Sequence, residues 1–232
     1  MNEEGLVLHL DNVTVRYPGS SHQATCDCSL EVAQGEKVAL LGANGSGKTS
    51  LLMAIVGLVP FSGSVRVNTI DVVKEHLTAV RETIGFLFSS PEDQILFPKV
   101  VNDVAFGLMR KGISAGEADQ RARDVLAQLE APGLAELSPH QLSHGQRLRV
   151  ALAGALICKP PLLLLDEPST SLDTRGKKQL VRVLASLPSA VLMATHDVEF
   201  AQRVCTRFII LDQGRVQMVG TRWDVIPEQF QW

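Results

Sequence analysis

Residues Gly42-Ala43-Asn44-Gly45-Ser46-Gly47-Lys48-Thr49 constrain this chain more than any other stretch. They fit G-x-x-x-x-G-K-[ST], a pattern in which backbone N–H groups converge on phosphate oxygens. The apolar run Val38–Leu41 leads in and Ser50–Val56 leads out, so the pattern lies between a strand and a helix. That order aims the positive end of a helix at the same anion. Glycine permits the backbone path and the close approach that a Cβ would obstruct. Lys48 is then placed to reach the β- and γ-phosphates, and Thr49 to offer its hydroxyl to Mg²⁺. Ser50 completes the first helical positions of the cradle. The implied ligand is a nucleoside triphosphate; what it is used for lies elsewhere in the chain.

Composition narrows the class. The 232 residues are 45% hydrophobic with 18 Gly and 11 Pro, which suits a globular α/β protein. A formal net charge of −3 disfavours a strongly cationic nucleic-acid binder, so no nucleic-acid partner is expected. Cys26, Cys28, Cys158 and Cys205 lack the paired spacing of a zinc site, and reduced thiols are expected. The acidic Met1–Glu4 does not read as a signal peptide. The apolar run Leu162–Leu165 is far short of the roughly 20 residues that span a bilayer. The chain is expected in the cytosol, meeting a membrane only through an integral partner.

Along the chain, Leu6–Tyr17, Ser29–Val32, Lys37–Leu41, Gly63–Val67 and Thr83–Phe88 read as strands. The helix after the glycine loop stops near Gly57, ahead of Pro60. From Val100 to about Pro139 the pattern is helical, with Val101, Val104, Ala105 and Leu108 on one face. Ser114-Ala-Gly-Glu117 reads as a capping box, each side chain serving the other's backbone N–H. Strand and helix then alternate: Leu162–Leu165, Lys177–Leu187, Ala190–Ala194, Val198–Val204 and Phe208–Leu211. Unbroken apolar strands of this kind are buried on both faces, as in parallel sheets. The expected unit is one α/β domain over 1–232. A β-subdomain over about 5–75 interleaves with the phosphate-loop core, a helical insertion spans about 90–155, and the core resumes over about 156–220.

Leu162–Leu165 runs into Asp166-Glu167. A buried strand that delivers a carboxylate at its end is how phosphate-loop enzymes position Mg²⁺. With Asp166 on the metal, Glu167 is free to polarise water against the γ-phosphate as a general base. Between loop and carboxylates lies Leu142-Ser143-His144-Gly145-Gln146. This resembles the LSGGQ signature of ATP-binding-cassette ATPases. The resemblance implies a phosphate-loop, RecA-like core with an N-terminal antiparallel β-subdomain and an inserted helical signature subdomain. It implies a D-loop at Ser171-Leu172-Asp173 and a switch histidine at His196. It also implies Tyr17 stacked on adenine. His196 follows a buried strand and precedes Asp197, which places it at the carboxyl edge of the sheet, where open α/β folds bind ligands.

The family further implies a head-to-tail pair of ATPases with two ATP molecules between them. Each ATP touches Lys48 of one chain and Ser143, Gly145 and Gln146 of the other. On its own residues, Ser143-x-x-Gln146 also reads as a capping box, and the cap can be what orients the serine. The expected catalytic residues are Lys48, Glu167 and His196, with Thr49 and Asp166 on the metal and ATP and Mg²⁺ as substrate and cofactor.

Ser90-Pro-Glu92-Asp93-Gln94 and Val101-Asn-Asp103-Val-Ala-Phe106-Gly107 are similar to the ATPases of energy-coupling-factor importers of cobalt, nickel or vitamins. His144 resembles the metal-ion branch. The implied partners are a second ATPase, identical or paralogous, and an integral-membrane coupling protein, at the cytoplasmic face. Two departures stand out. Ser89 occupies the position of the family's Q-loop glutamine, and its short side chain is expected to contact Mg²⁺ through water or not at all. One short helix, Thr221–Ile226, is expected where the branch often carries a C-terminal extension, so dimerisation is expected to depend on ATP and the membrane partner. The competing class is a soluble cassette ATPase acting on DNA, ribosomes or a regulatory partner. The stretch from Ser89 to Leu142 carries no heptad run, which disfavours the coiled-coil version of that class.

Overall fold

The computed structural model describes residues 5–170 and 172–221. Strands β1 (Leu6–Arg16), β2 (Gln23–Ala33), β4 (Phe61–Val67) and β5 (Ile70–Asp71) form an antiparallel sheet in the order β2-β1-β4-β5. The second sheet has six strands. Its parallel part runs β9 (Arg207–Asp212), β3 (Lys37–Leu41), β8 (Ala190–Thr195), β7 (Leu162–Asp166) and β6 (Ile84–Leu87). At its edge β10 (Arg215–Gly220) pairs antiparallel with β9.

The apolar runs follow from where these strands lie. On β7, Leu162 and Leu164 belong to one hydrophobic cluster, and Leu163 and Leu165 to the other. β8 and β3 split the same way, with Leu192 and Leu40 on one face and Met193 and Leu41 on the other. One cluster fills the space between the two sheets around α1 (Lys48–Ile55); the other packs the far face against helices. A strand covered on both faces has no polar side, hence no alternation.

The helical region is less continuous than its sequence pattern implies. α2 (Leu77–Glu82) precedes β6, and α3 (Val100–Arg110) and α4 (Ala115–Gln128) precede two short 3₁₀ turns and then α5 (His144–Leu156). Ser114 caps α4 by accepting from the Glu117 N–H. The reciprocal half of the expected capping box is replaced: the Glu117 carboxylate takes Arg121 at 2.5 Å, one turn on. α6 (Thr174–Ser186) starts three residues before the expected Lys177, because Asp173 accepts from the Gly176 N–H and caps it. α7 (Val198–Val204) follows β8. Ser171 of the expected D-loop and nearly all of the expected 221–226 helix lie outside the described residues.

Candidate functional site

The loop between β3 and α1 is a preformed cradle. Gly45 and Gly47 adopt left-handed φ values of 81° and 105°. A Cβ on Gly47 would collide with the Ala24 carbonyl oxygen, and one on Gly42 with that of Leu211. Ala43, Asn44 and Gly45 are exposed, whereas Ser46 and Lys48 are buried. Ser46 Oγ has no hydrogen-bond partner among the described residues. The Gly214 N–H donates to the Ser46 carbonyl at 3.0 Å, so the β9–β10 turn braces the loop from behind. Lys48 Nζ donates to the Gly42 and Ala43 carbonyls at 2.7 and 3.1 Å. Burial pushes the Lys48 ammonium pKa down, and Glu167 and Asp166 push it back up. The Tyr17 hydroxyl lies 3.1 Å from Ser50 Oγ with its ring partly exposed, at the rim of the first turn of α1.

At the end of β7, Asp166 is buried and accepts from Thr49 Oγ1 at 3.1 and 2.9 Å, one contact on each carboxylate oxygen. Burial pushes the Asp166 carboxyl up. The Thr49 hydroxyl opposes this, Glu167 adds to it, and the Ser89 hydroxyl and Lys48 again favour the ionised form. A buried carboxylate and a hydroxyl converging beside a phosphate cradle are hard oxygen donors, which fits Mg²⁺.

Glu167 follows with φ of 50°, a left-handed backbone that long side chains rarely adopt. Its N–H donates to the Ala194 carbonyl at 2.8 Å. The carboxylate meets three groups, one from α1 and two from consecutive residues at the end of β8. Lys48 Nζ lies 3.8 Å from Oε1, His196 Nδ1 lies 3.0 Å from Oε2, and Thr195 Oγ1 donates to Oε2 at 3.1 Å. Lys48, Thr49, Asp166, Glu167 and His196, spread over the whole sequence, are therefore one cluster at the carboxyl edge of the parallel sheet.

The signature residues are not part of it. Ser143 caps α5 by accepting from the Gln146 N–H, and Gln146 Oε1 accepts from the Ser143 N–H at 2.8 Å, the full capping box. Gly145 packs where a Cβ would stand 3.4 Å from Leu172. Among the described residues no hydrogen bond or ion pair joins Ser143, Gly145 or Gln146 to the phosphate loop.

Sequence reasoning missed the braces. Gln94 accepts from the Phe88 N–H and donates to the Phe86 and Ala151 carbonyls at 3.0 and 3.1 Å, tying the end of β6 to the signature helix. Glu92 takes His144 at 3.0 Å and Arg147 at 3.1 Å on one oxygen. Its own N–H, then these two side chains, hold the Glu92 carboxyl below its usual range. Asp197 accepts from Ser169, Lys177 and the Phe200 N–H. Only Asp197, a cap residue straight after a strand, leaves a local signal of its role.

The family model for "ABC transporter" matches residues 26–170. The chain belongs to the ABC transporter family. Among relatives of the cassette, an ABC transporter ATP-binding protein of Streptomyces avermitilis is 38% identical over 95% of this chain and 84% of its own length. Another, of Gloeobacter violaceus, is 41% identical over 87% of this chain and 84% of its own. The ATP-binding cassette MJ0796, solved as a dimer in a post-hydrolysis state with ADP and Pi, superposes with a TM-score of 0.85 at 31% identity, covering 92% of this chain and 98% of that one. CbiO1 of Clostridium perfringens, described as part of the transporter complex cbiONQ, gives 0.84 at 29% identity over 98% and 93%. The cassette is thus an ATP-hydrolysing subunit of a transporter, built on the phosphate-loop α/β fold with its antiparallel sheet and helical insertion.

Proposed function

We propose that the cassette holds ATP at Gly42–Ser50, beside Tyr17, and hydrolyses it when a second ATPase subunit, identical or paralogous, supplies Ser143, Gly145 and Gln146 across the interface. Lys48 exchanges the Gly42 and Ala43 carbonyls for the β- and γ-phosphates. Thr49 and Asp166 hold Mg²⁺, which when bound neutralises phosphate charge. Glu167 is the general base that polarises the attacking water, and His196 supports the charge that develops on the transferred phosphoryl group. The observation that carries this reading is the separation of the two halves. Lys48, Glu167 and His196 share one cluster, while among the described residues Ser143 bonds only within the first turn of its own helix.

The transport reading is import of a small nutrient, a cobalt or nickel ion or a vitamin, energised from the cytoplasmic face through an integral-membrane coupling protein. Its support is the sequence around Ser90–Gly107, His144 in the signature, and the likeness to CbiO1. The surface beside the Ser89–Gln94 loop is apolar as well: Leu96 is 80% exposed, Phe106 and Met109 are exposed, and Phe97 packs on Phe106 with ring centroids 5.1 Å apart. No helix among the described residues is long and apolar enough to cross a membrane. The test is affinity purification of the tagged chain from detergent-solubilised membranes of its own cells. Recovery of an integral-membrane protein is expected; recovery with ribosomes or DNA instead overturns the transport reading.

A further inference from the structure

We propose that Thr195 is a positioning residue that aims Glu167, fixing one carboxylate oxygen so that the other faces the attacking water. The inference rests on Glu167 being the general base. Thr195 is fully buried at the end of β8, a strand paired on both sides, with partners Leu41 of β3 and, one residue back, Asp166 of β7. Its hydroxyl has one hydrogen to give. The Asp197 N–H donates to Thr195 Oγ1 at 3.0 Å, and Glu167 Oε2 is 3.1 Å away. An ionised carboxylate only accepts, so the hydroxyl hydrogen points at Oε2.

The other contacts of Glu167 differ in kind. His196 also reaches Oε2, but its side chain is 52% exposed and sits just beyond the strand. Lys48 faces Oε1 from 3.8 Å and is drawn towards phosphate when nucleotide binds. Once it moves, Oε1 has no other donor among the described residues, while Thr195 still holds Oε2 from a stiff β-branched side chain in the centre of the sheet. The left-handed backbone at Glu167 belongs to the same device. Strain of this kind persists where the surroundings over-determine a side chain's direction. Asp197 completes it. Anchored by Ser169 and Lys177, it presents the N–H that orients the Thr195 hydroxyl.

The test compares Thr195→Val, Thr195→Ser and Glu167→Gln in the full chain, reading kcat, KM and the dissociation constant for ATP by direct titration. Val keeps the shape and the strand preference and removes the hydroxyl; Ser keeps the hydroxyl. Thr195→Val is expected to bind ATP with unchanged affinity and KM and to lose about tenfold to a hundredfold in kcat, the scale set by misaimed catalytic groups. Thr195→Ser is expected to recover most of that loss. Should Thr195→Val not fold, Thr195→Ala carries the same expectation. Unchanged kcat in the hydroxyl-free variant, or a Ser variant as slow as it, overturns the inference. Glu167→Gln separates the two layers: normal turnover there removes the base itself, whereas an inert Glu167→Gln beside a normal Thr195→Val removes only the role of Thr195.

Discussion

Lys48 and Glu167 face each other across the phosphate cradle, Nζ to Oε1 at 3.8 Å, both largely buried. In the proposed mechanism the lysine serves the phosphates and the carboxylate serves the water, and the two are each other's counter-ions in this structure. Phosphate binding is expected to draw Lys48 away and free Oε1.

Glu167→Gln keeps the shape of the side chain and removes its basicity. ATP turnover is expected to fall by about a hundredfold or more, the usual contribution of a positioned base, while ATP affinity stays the same. Turnover assays beside equilibrium nucleotide titration check this, and near-normal turnover removes Glu167 from the role.

Two glycines of the cradle are expected to differ. Gly45 and Gly47 both have positive φ, but a Cβ on Gly45 meets nothing within 4 Å, whereas one on Gly47 strikes the Ala24 carbonyl. Gly45→Ala is expected to cost only the left-handed penalty of about 1–2 kcal/mol. Gly47→Ala must also displace β2, so it is expected to melt lower and to lose ATP binding. Thermal melts with and without ATP measure the contrast; equal behaviour of the pair contradicts it.

Gln94 is a structural brace. Replacing it with Leu leaves the Phe88 N–H and the Phe86 and Ala151 carbonyls without their amide partner. Unsatisfied groups of this kind cost about 1–3 kcal/mol, so Gln94→Leu is expected to melt about 5 °C lower. A melting temperature equal to the wild type's would show that water replaces the amide without loss.

Asp197 makes stability depend on pH in one direction. Burial opposes its charge, but Lys177, the Phe200 N–H and Ser169 outweigh burial and hold its carboxyl below the usual range. A depressed folded-state pKa adds stability above the unfolded value of about 4, and that stability is lost as pH falls through the lower folded value. Lys177 is 41% exposed, so screening limits the effect to about 1 kcal/mol. Asp197→Asn is expected to melt a few degrees lower at pH 7, with the gap closing below about pH 4. A gap independent of pH would assign the effect to shape instead of charge.

What could be read in advance follows from how local each signal is. The phosphate loop and the cap at Ser143 are contiguous, and β3, β7 and β8 announce themselves by burial on both faces. β2 was legible only in its second half, because Gln23–Asp27 mixes polar residues with a shifted register against β1. β10 alternates half-buried and exposed positions at a sheet edge and lacks an apolar run. The braces depend on contacts far apart in sequence: Gln94 with Ala151, and Asp197 with Lys177. Thr195 was hidden for another reason, since on a fully buried strand a threonine reads as packing.

The central claim, that Lys48 of one chain works with Ser143 of another, is tested most directly by mixing two inactive variants. Lys48→Ala and Ser143→Ala are each expected to lack hydrolysis alone. In a two-fold symmetric pair, a mixed dimer rebuilds one intact site from the wild-type Lys48 of one chain and the wild-type Ser143 of the other. Random mixing should then restore about a quarter of wild-type turnover. A mixture no more active than its two parents would contradict the account.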